Sequence, residues 1–445
     1  MITNYEEAIM FIHSKKDAGI AYSLDRMTLL MKHLGHPEQK IKAIHVAGTN
    51  GKGSVCAFLA SILKEAGYVT GSFNTPAFGE ERNQISVNSL PLSEEAFTKG
   101  CQSVYTAVKA AEDEKGEKIS EFECLTAMAI NYFAYVRPVD FVLVEAGMGG
   151  RLDATNILNS PLAAIITNVG MDHQKYLGSK LTDIAGEKAG IIKSGVPVFT
   201  ASKGEALQVI KEAAEEKGSS LFSLSEEVDL LLGERSDKEQ SFTYKPKYGN
   251  TDTYSIQLKG SHQMENSGLA VAAARYLMEK NLADITPAHL RKGLKKTFIP
   301  GRWEAFLSSP SVFLDTAHNL EAIATVRDNI RTVEGHRDIT ILFAAMKDKP
   351  AADMMNILST VKGSLNVTEF SSVRSMSRAD YRKLIDSGEK LQGVNYVGNW
   401  AEWLDQWLNL SNEREVLVIT GSHQFIGECR QFLKNRLGQS DNPSI

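Results

Sequence analysis

Short apolar runs alternate with amphipathic stretches along this chain. Residues 41–46 read as a buried strand. The next stretch places Val55, Phe58, Leu59, Ile62 and Leu63 at helical spacing, with Gly67 as a stop. Residues 139–144 and 162–167 form two more buried-strand patterns. Strands separated by helices predict a mostly parallel sheet with helices on both faces. Residues 228–258 are largely polar and partly alternating, which predicts a hairpin or small sheet at an edge. After Arg302 a second α/β rhythm begins, with short strands at 312–314, 339–343, 365–370 and 416–420. A Pro-Gly step interrupts the pattern near residues 296–301 and marks a domain boundary. Both halves therefore read as doubly wound, an architecture that binds ligands at the carboxyl ends of its strands.

Length agrees with two cores, because 445 residues exceed what one ordinary core holds. The formal net charge of −5 offers no global basic field for nucleic acid or anionic lipid. No apolar run is long enough to span a bilayer. Cys56, Cys101, Cys124 and Cys429 form no C-x-x-C pair, so neither a zinc site nor a disulfide framework is indicated, in keeping with a reducing cytoplasm. The first residues lack a signal-peptide layout, and QSDNPSI, residues 439–445, reads as a frayed tail.

The strongest chemical signal is HVAGTNGKGSV, residues 45–55. A strand ends, a loop containing Gly48, Thr49, Asn50, Gly51, Lys52, Gly53 and Ser54 follows, and a helix begins. Backbone N–H groups in such a loop point at phosphate oxygens, and the helix dipole adds to the attraction. Lys52 reaches outer phosphates, and the Ser54 hydroxyl is placed to ligate magnesium. The glycine spacing differs from the common P-loop. In VLVEAGMGGRLDATN, residues 142–156, the carboxylate of Glu145 closes a buried strand, while Gly147, Gly149 and Gly150 let backbone approach a ligand or simply make a turn. His173 follows a strand end in TNVGMDHQKYLG, where a structural role is the commoner one. Lys188, in GEKAGIIK, reads on residue type alone as a surface lysine. In the second half Arg302 (PGRWE) is suited to a phosphate, and Asp315 and His318 (LDTAHN) lie just past a strand.

Taken in order, these segments resemble the folylpolyglutamate synthase and dihydrofolate synthase family, which belongs with the Mur-type ATP-dependent amide ligases. The likeness runs from LDRM near residue 24 to GSHQFIGE near residue 421, and HVAGTNGKGS, EAGMGGRLDATN and MDHQKYLG…EKAGIIK carry it. It implies an α/β chain with an N-terminal P-loop-type, ATP-binding domain on a mostly parallel sheet with a small β edge (1–297), and a smaller C-terminal Rossmann-like, glutamate-ligase domain (298–445). It also implies a cytoplasmic, monomeric enzyme of folate and one-carbon metabolism that uses ATP and Mg2+ to join L-glutamate to a folate or to dihydropteroate, with no nucleic-acid or membrane partner. By the same resemblance, Lys52, Lys188 and His173 are catalytic, and Lys188 is carbamylated. Magnesium is held by Glu145, His173 and Thr75. Asn266, Arg302 and Asp315 are nucleotide contacts and His318 lies near the nucleotide. Glu121, Phe122 and Glu123, with Leu152, Asp153 and Ala154, line the folate pocket.

The chain departs from the family pattern in places. The loop that usually reads TSPHL, then FNERI and a VNG turn, here reads NTPAFGEERNQISVNS (74–89). Thr75 keeps the hydroxyl of the usual Ser, Ala77 stands where His or an aromatic is typical, Asn83 and Gln84 occupy the usual Glu-Arg positions, and Glu81-Arg82 lie two residues early. DGAHNP has become DTAHNL, with Thr316 and Leu320, and FAAMKDK replaces FGAxxDK; Asp315, His318 and Asp348 remain. The altered loop motivates an alternative, a divergent paralogue that binds nucleotide or folate with little catalysis. Retention of Lys52, Glu145, His173 and Lys188 argues against it.

Overall fold

A computed structural model describes residues 2–19, 23–236, 239–333, 335, 337–387 and 391–438. The tail at 439–445 lies outside the described residues. The chain divides into two compact units, Met1–Gln257 with Ser261–Phe298, and Leu258–Gly260 with Ile299–Ile445.

The first unit is built on an eight-stranded sheet. Its strands are β1 (Ala43–Ala47), β2 (Thr70–Phe73), β3 (Ile85–Val87), β4 (Leu90–Pro91), β5 (Phe141–Glu145), β6 (Ala163–Ile166), β7 (Val198–Thr200) and β8 (Leu221–Ser223). The order is β4-β3-β2-β5-β1-β6-β7-β8. From β2 to β8 neighbouring strands are parallel; β3 and β4 close one edge antiparallel. Every residue of β1, β5 and β6 is buried, as expected of parallel strands covered on both faces. The helix Lys52–Glu65 follows β1 and buries Val55, Phe58, Leu59, Ile62 and Leu63. Gly67, in a left-handed conformation, comes just after its end.

The helix Pro287–Lys296 comes into backbone contact with Lys52–Glu65. A side chain at Gly293 would put its Cβ 2.5 Å from the Cα of Ile62, so only glycine permits the approach. A large apolar cluster forms between the sheet and an N-terminal helical layer that includes Tyr5–His13, Asp25–His33, Glu94–Lys115 and Glu121–Asn131.

Residues 228–256 do not extend the large sheet. They form β9 (Val228–Arg235), β10 (Gln240–Pro246) and β11 (Asp252–Ile256), a separate antiparallel sheet. Asp252 ties it to two helices, accepting from Arg275 at 2.7 Å and from Arg291 at 2.6 Å.

The second unit holds a six-stranded sheet of β12 (Glu304–Ser308), β13 (Ser311–Asp315), β14 (Asp338–Phe343), β15 (Ser364–Thr368), β16 (Asn395–Val397) and β17 (Glu415–Thr420), ordered β12-β13-β17-β14-β15-β16. All pairings are parallel except the β12 edge. Asp315 is the last residue of β13.

Candidate active site

The loop 48–51 turns between β1 and the helix Lys52–Glu65. Gly48 (φ +149°) and Gly51 (φ +87°) both lie in backbone regions that favour glycine. A Cβ on Gly48 would fall 1.8 Å from Thr167 Oγ1, and one on Gly51 would fall 2.2 Å from Asn266 Oδ1. The loop is thus pressed between the end of β6 and the helix Ser261–Glu279.

The segment after β6 also fastens the loop by hydrogen bonds. The Thr49 amide donates to Asn168 O (2.8 Å), the Asn50 amide donates to Asn168 Oδ1 (2.8 Å), and Thr167 Oγ1 donates to Asn50 O (2.6 Å). Thr49 Oγ1 accepts from the Gly170 amide at 2.9 Å. The first amides of the following helix have no carbonyl one turn back, so they are available to an anion.

Lys52 folds back over this loop, its Nζ donating to Gly48 O and Thr49 O at 3.2 and 3.3 Å. Glu145, at the end of β5, brings Oε1 to 3.8 Å from Lys52 Nζ. Its Oε2 accepts from the Thr75 amide at 3.4 Å, and a Cβ on Gly53 would lie 3.2 Å from it. Ser54 is buried in the first helical turn. Sheet order explains the gathering: β2 and β1 flank β5, so the loops after all three strands open at one end.

Lys188, read from its residue type as a surface lysine, is instead buried on the helix Leu181–Ala189. Burial lowers its pKa to about 7, Lys52's positive charge pushes the same way, and Asp172 and Asp153 oppose both. The loop after Glu145 packs on this helix: the Arg151 amide donates to Glu187 O at 2.7 Å, and a Cβ on Gly150 would meet that oxygen at 2.8 Å. His173 takes a left-handed backbone (φ +49°), and its Nε2 lies 3.6 Å from Asp172 Oδ2.

Asp153 is buried, which raises its carboxyl pKa against hydrogen bonds that lower it. These come from Thr155, from Met148 N at 2.9 Å and from Gly147. Phe122 stacks on Phe73 with ring centroids 5.8 Å apart and closes over Gly147. Leu152 is half-buried and Ala154 buried on the same loop. The Glu123 carboxylate is already engaged, by a capping box with Ser120 and by Arg26 Nη2 at 2.8 Å. Glu121 lies beside His13 and Glu81. Among the described residues these three form the one group of three or more His, Cys, Asp or Glu side chains whose ligand atoms lie within 4.8 Å of one another. Neither Glu145 nor His173 belongs to it.

In the second unit, Asp315 Oδ2 accepts from the Trp303 amide at 2.8 Å and Oδ1 from the Ala317 amide at 2.9 Å. Burial raises its pKa to about 6, with Arg302 opposing. His318 Nδ1 lies 2.9 Å from Thr316 O, and its ring is 5.0 Å from that of His423. Thr167, Asn168, Asp172 and His423 join these groupings although residue type alone does not single them out. The signal for the first three was present: TNVGMD directly follows the strand that pairs with β1.

The Mur ligase middle domain matches residues 46–274, and the Mur ligase glutamate ligase domain matches residues 301–423. The chain is 38% identical over 441 residues to the dihydrofolate synthase/folylpolyglutamate synthase of Bacillus subtilis, covering 98% of this chain and 100% of that protein. It is 29% identical to the folylpolyglutamate synthase of Lacticaseibacillus casei, covering 97% of this chain and 99% of the relative. A solved Mycobacterium tuberculosis folylpolyglutamate synthase, complexed with ADP and AMPPCP, superposes with a TM-score of 0.86 at 26% identity, over 99% of this chain and 100% of that one. A glycine-rich strand-to-helix loop backed by a strand-end carboxylate, the two matching domain models and likeness along essentially the whole length together lead to one conclusion: the chain belongs to the dihydrofolate synthase/folylpolyglutamate synthase family of Mur-type ligases.

Proposed function

We propose that this chain uses ATP to join the amine of L-glutamate to the carboxylate of a folate, and that dihydropteroate is a second acceptor. The observation that carries the reading is the loop 48–54 closing on Glu145, with Lys52 Nζ 3.8 Å from Glu145 Oε1. The name of the Bacillus subtilis relative supports the second acceptor.

In the reaction, a carboxylate oxygen of the pterin-bearing substrate attacks the γ-phosphorus of ATP. The bond to the ADP oxygen breaks and an acyl phosphate forms. The glutamate amine then attacks the acyl carbon, loses a proton, and inorganic phosphate leaves. The protein's part is alignment and neutralisation of the transferring oxygens. Lys52 and the amides of Gly51 to Ser54 supply positive potential at the outer phosphates.

The donors suit magnesium: Glu145, Ser54 and Thr75 offer the oxygens a hard cation takes. His173, a nitrogen donor, is assigned by family resemblance. Bound magnesium would neutralise charge on the β- and γ-phosphate oxygens. Lys188 is suited to carbamylation, because a buried amine with a pKa near 7 is largely neutral, hence nucleophilic, at physiological pH. The carbamate would put a negative charge beside Lys52. Asn266, Arg302, Asp315 and His318 are read as the remaining nucleotide contacts. Phe122 gives the pterin an aromatic wall, with Glu121, Leu152, Asp153 and Ala154 around it, while Glu123 holds the start of its helix.

The test is incorporation of radiolabelled L-glutamate with Mg-ATP, using tetrahydrofolate in one reaction and dihydropteroate in another. Label in both products supports the full reading. Label with tetrahydrofolate alone removes the second acceptor. Nucleotide binding with no incorporation in either reaction would favour the non-catalytic paralogue.

A further inference from the structure

The turn PGRWE, residues 300–304, is held in an unusual backbone conformation. Gly301 has φ +68°, which glycine adopts freely, but Trp303 has φ +48°. A bulky side chain in the left-handed region is a real outlier and persists only where its surroundings over-determine it. Arg302 lies between these two residues.

The surroundings here are specific. The Gly301 carbonyl accepts from the Thr316 amide at 2.8 Å, and the Gly301 amide donates to Glu304 Oε2 at 2.8 Å. The Trp303 amide donates to Asp315 Oδ2 at 2.8 Å, and the Trp303 ring stacks on Phe313, centroids 4.8 Å apart and planes within 16°. Both neighbours of Arg302 are thus tied down, and Asp315 is itself one of the ties. Glu304, only 6% exposed, needs a counter-charge. Arg430 supplies it from the helix His423–Leu437, with Nε 3.0 Å from each carboxylate oxygen and the guanidinium 5.9 Å from the Phe306 ring centroid.

We propose that Glu304 and Arg430 are positioning residues for nucleotide binding: their partly buried ion pair clamps the 300–304 turn and so sets where Arg302 and Asp315 stand. The proposal rests on reading Arg302 and Asp315 as nucleotide contacts. Arg430 lies more than one hundred residues from the turn and has no part in the phosphate loop. Its effect on nucleotide affinity would be transmitted through Glu304 and the Gly301 amide.

The experiment measures AMPPCP affinity by calorimetry and thermal unfolding of the full chain for Arg302→Ala, Arg430→Gln, Arg430→Lys and the double variant Glu304→Gln/Arg430→Gln. Arg302→Ala and Arg430→Gln are both expected to weaken AMPPCP about tenfold or more at a temperature where each is folded, since small misplacement of binding groups costs 10- to 100-fold. Arg430→Lys should recover part of the loss, because it keeps the charge without the planar fork. Should Arg430→Gln fail to fold, the double variant, which leaves no unpaired buried charge, is expected to show the same loss. If Arg302→Ala weakens binding while the folded Arg430 variants stay within about twofold of the parent, the pair only stabilises the fold and the proposal is overturned. If Arg302→Ala itself keeps parental affinity, the reading of Arg302 falls, and the proposal with it.

Discussion

Gly51 backs directly onto Asn266: a Cβ at residue 51 would lie 2.2 Å from the Asn266 Oδ1 atom. The loop therefore depends on glycine twice, for its φ of +87° and for the space. Gly51→Ala should lower kcat/KM by about a hundredfold or more, because the phosphate-facing amides are displaced, and cost about 1–3 kcal/mol of stability from the strained backbone. Urea unfolding and phosphate release on the same preparation check both. Parental turnover in the folded variant would show that the amides of this loop do not meet the phosphates.

Lys52→Ala should separate chemistry from folding. The Lys52 ammonium touches loop carbonyls and stands 3.8 Å from Glu145, and it fills no core space. Turnover should fall at least about 10²- to 10³-fold, the cost of removing one electrostatic donor from a transition state. The circular dichroism spectrum should not change. A variant with that spectrum and full activity would remove Lys52 from the site.

Lys188 makes stability depend on pH with a definite sign. Its pKa falls from the ordinary lysine value of 10.5 to about 7 in the folded chain. Between those values the unfolded state binds the extra proton, so folding becomes more favourable as pH rises through this window. Below about pH 7 both states are protonated and the burial penalty is fully present. Lys188→Met should flatten the rise in urea midpoint across the window, measured in buffer free of carbon dioxide. With labelled bicarbonate, the parent should show a carbamate carbonyl resonance that Lys188→Met lacks; the same resonance in both would place the carbamate elsewhere.

The atypical loop after Thr75 is fastened to the first helix. His13 Nε2 lies 2.6 Å from Glu81 Oε1, and Tyr5 Oη donates to Glu80 Oε2 at 3.2 Å. Glu80 and Glu81 thus have a holding role here. His13→Ala should cost under about 1 kcal/mol of stability, as exposed pairs do. It should raise KM for the pterin substrate by about three- to tenfold with little change in kcat, the mark of lost uniform binding. Unchanged kinetics would mean that the fastening does not serve substrate binding.

Near-neighbour chemistry made much of this protein legible in one dimension. The all-buried runs of β1, β5 and β6, the glycines after β1 and the helical spacing from Val55 to Leu63 are local patterns, and the structure has each within a residue or two of its reading. The acids at strand ends, Glu145 and Asp315, were also legible, because the end of an apolar run is visible in sequence. Short elements were not: β2 contains glycine, and β7, β8 and β16 have three residues each, too few to show a period.

Tertiary structure decided what depends on non-local partners. It placed Thr167 and Asn266 behind Gly48 and Gly51. It also turned Lys188 from an apparent surface cation into a buried amine. Residue spacing carries the period of a helix or strand. Strand order and desolvation are set by segments distant in sequence, and no local pattern encodes them.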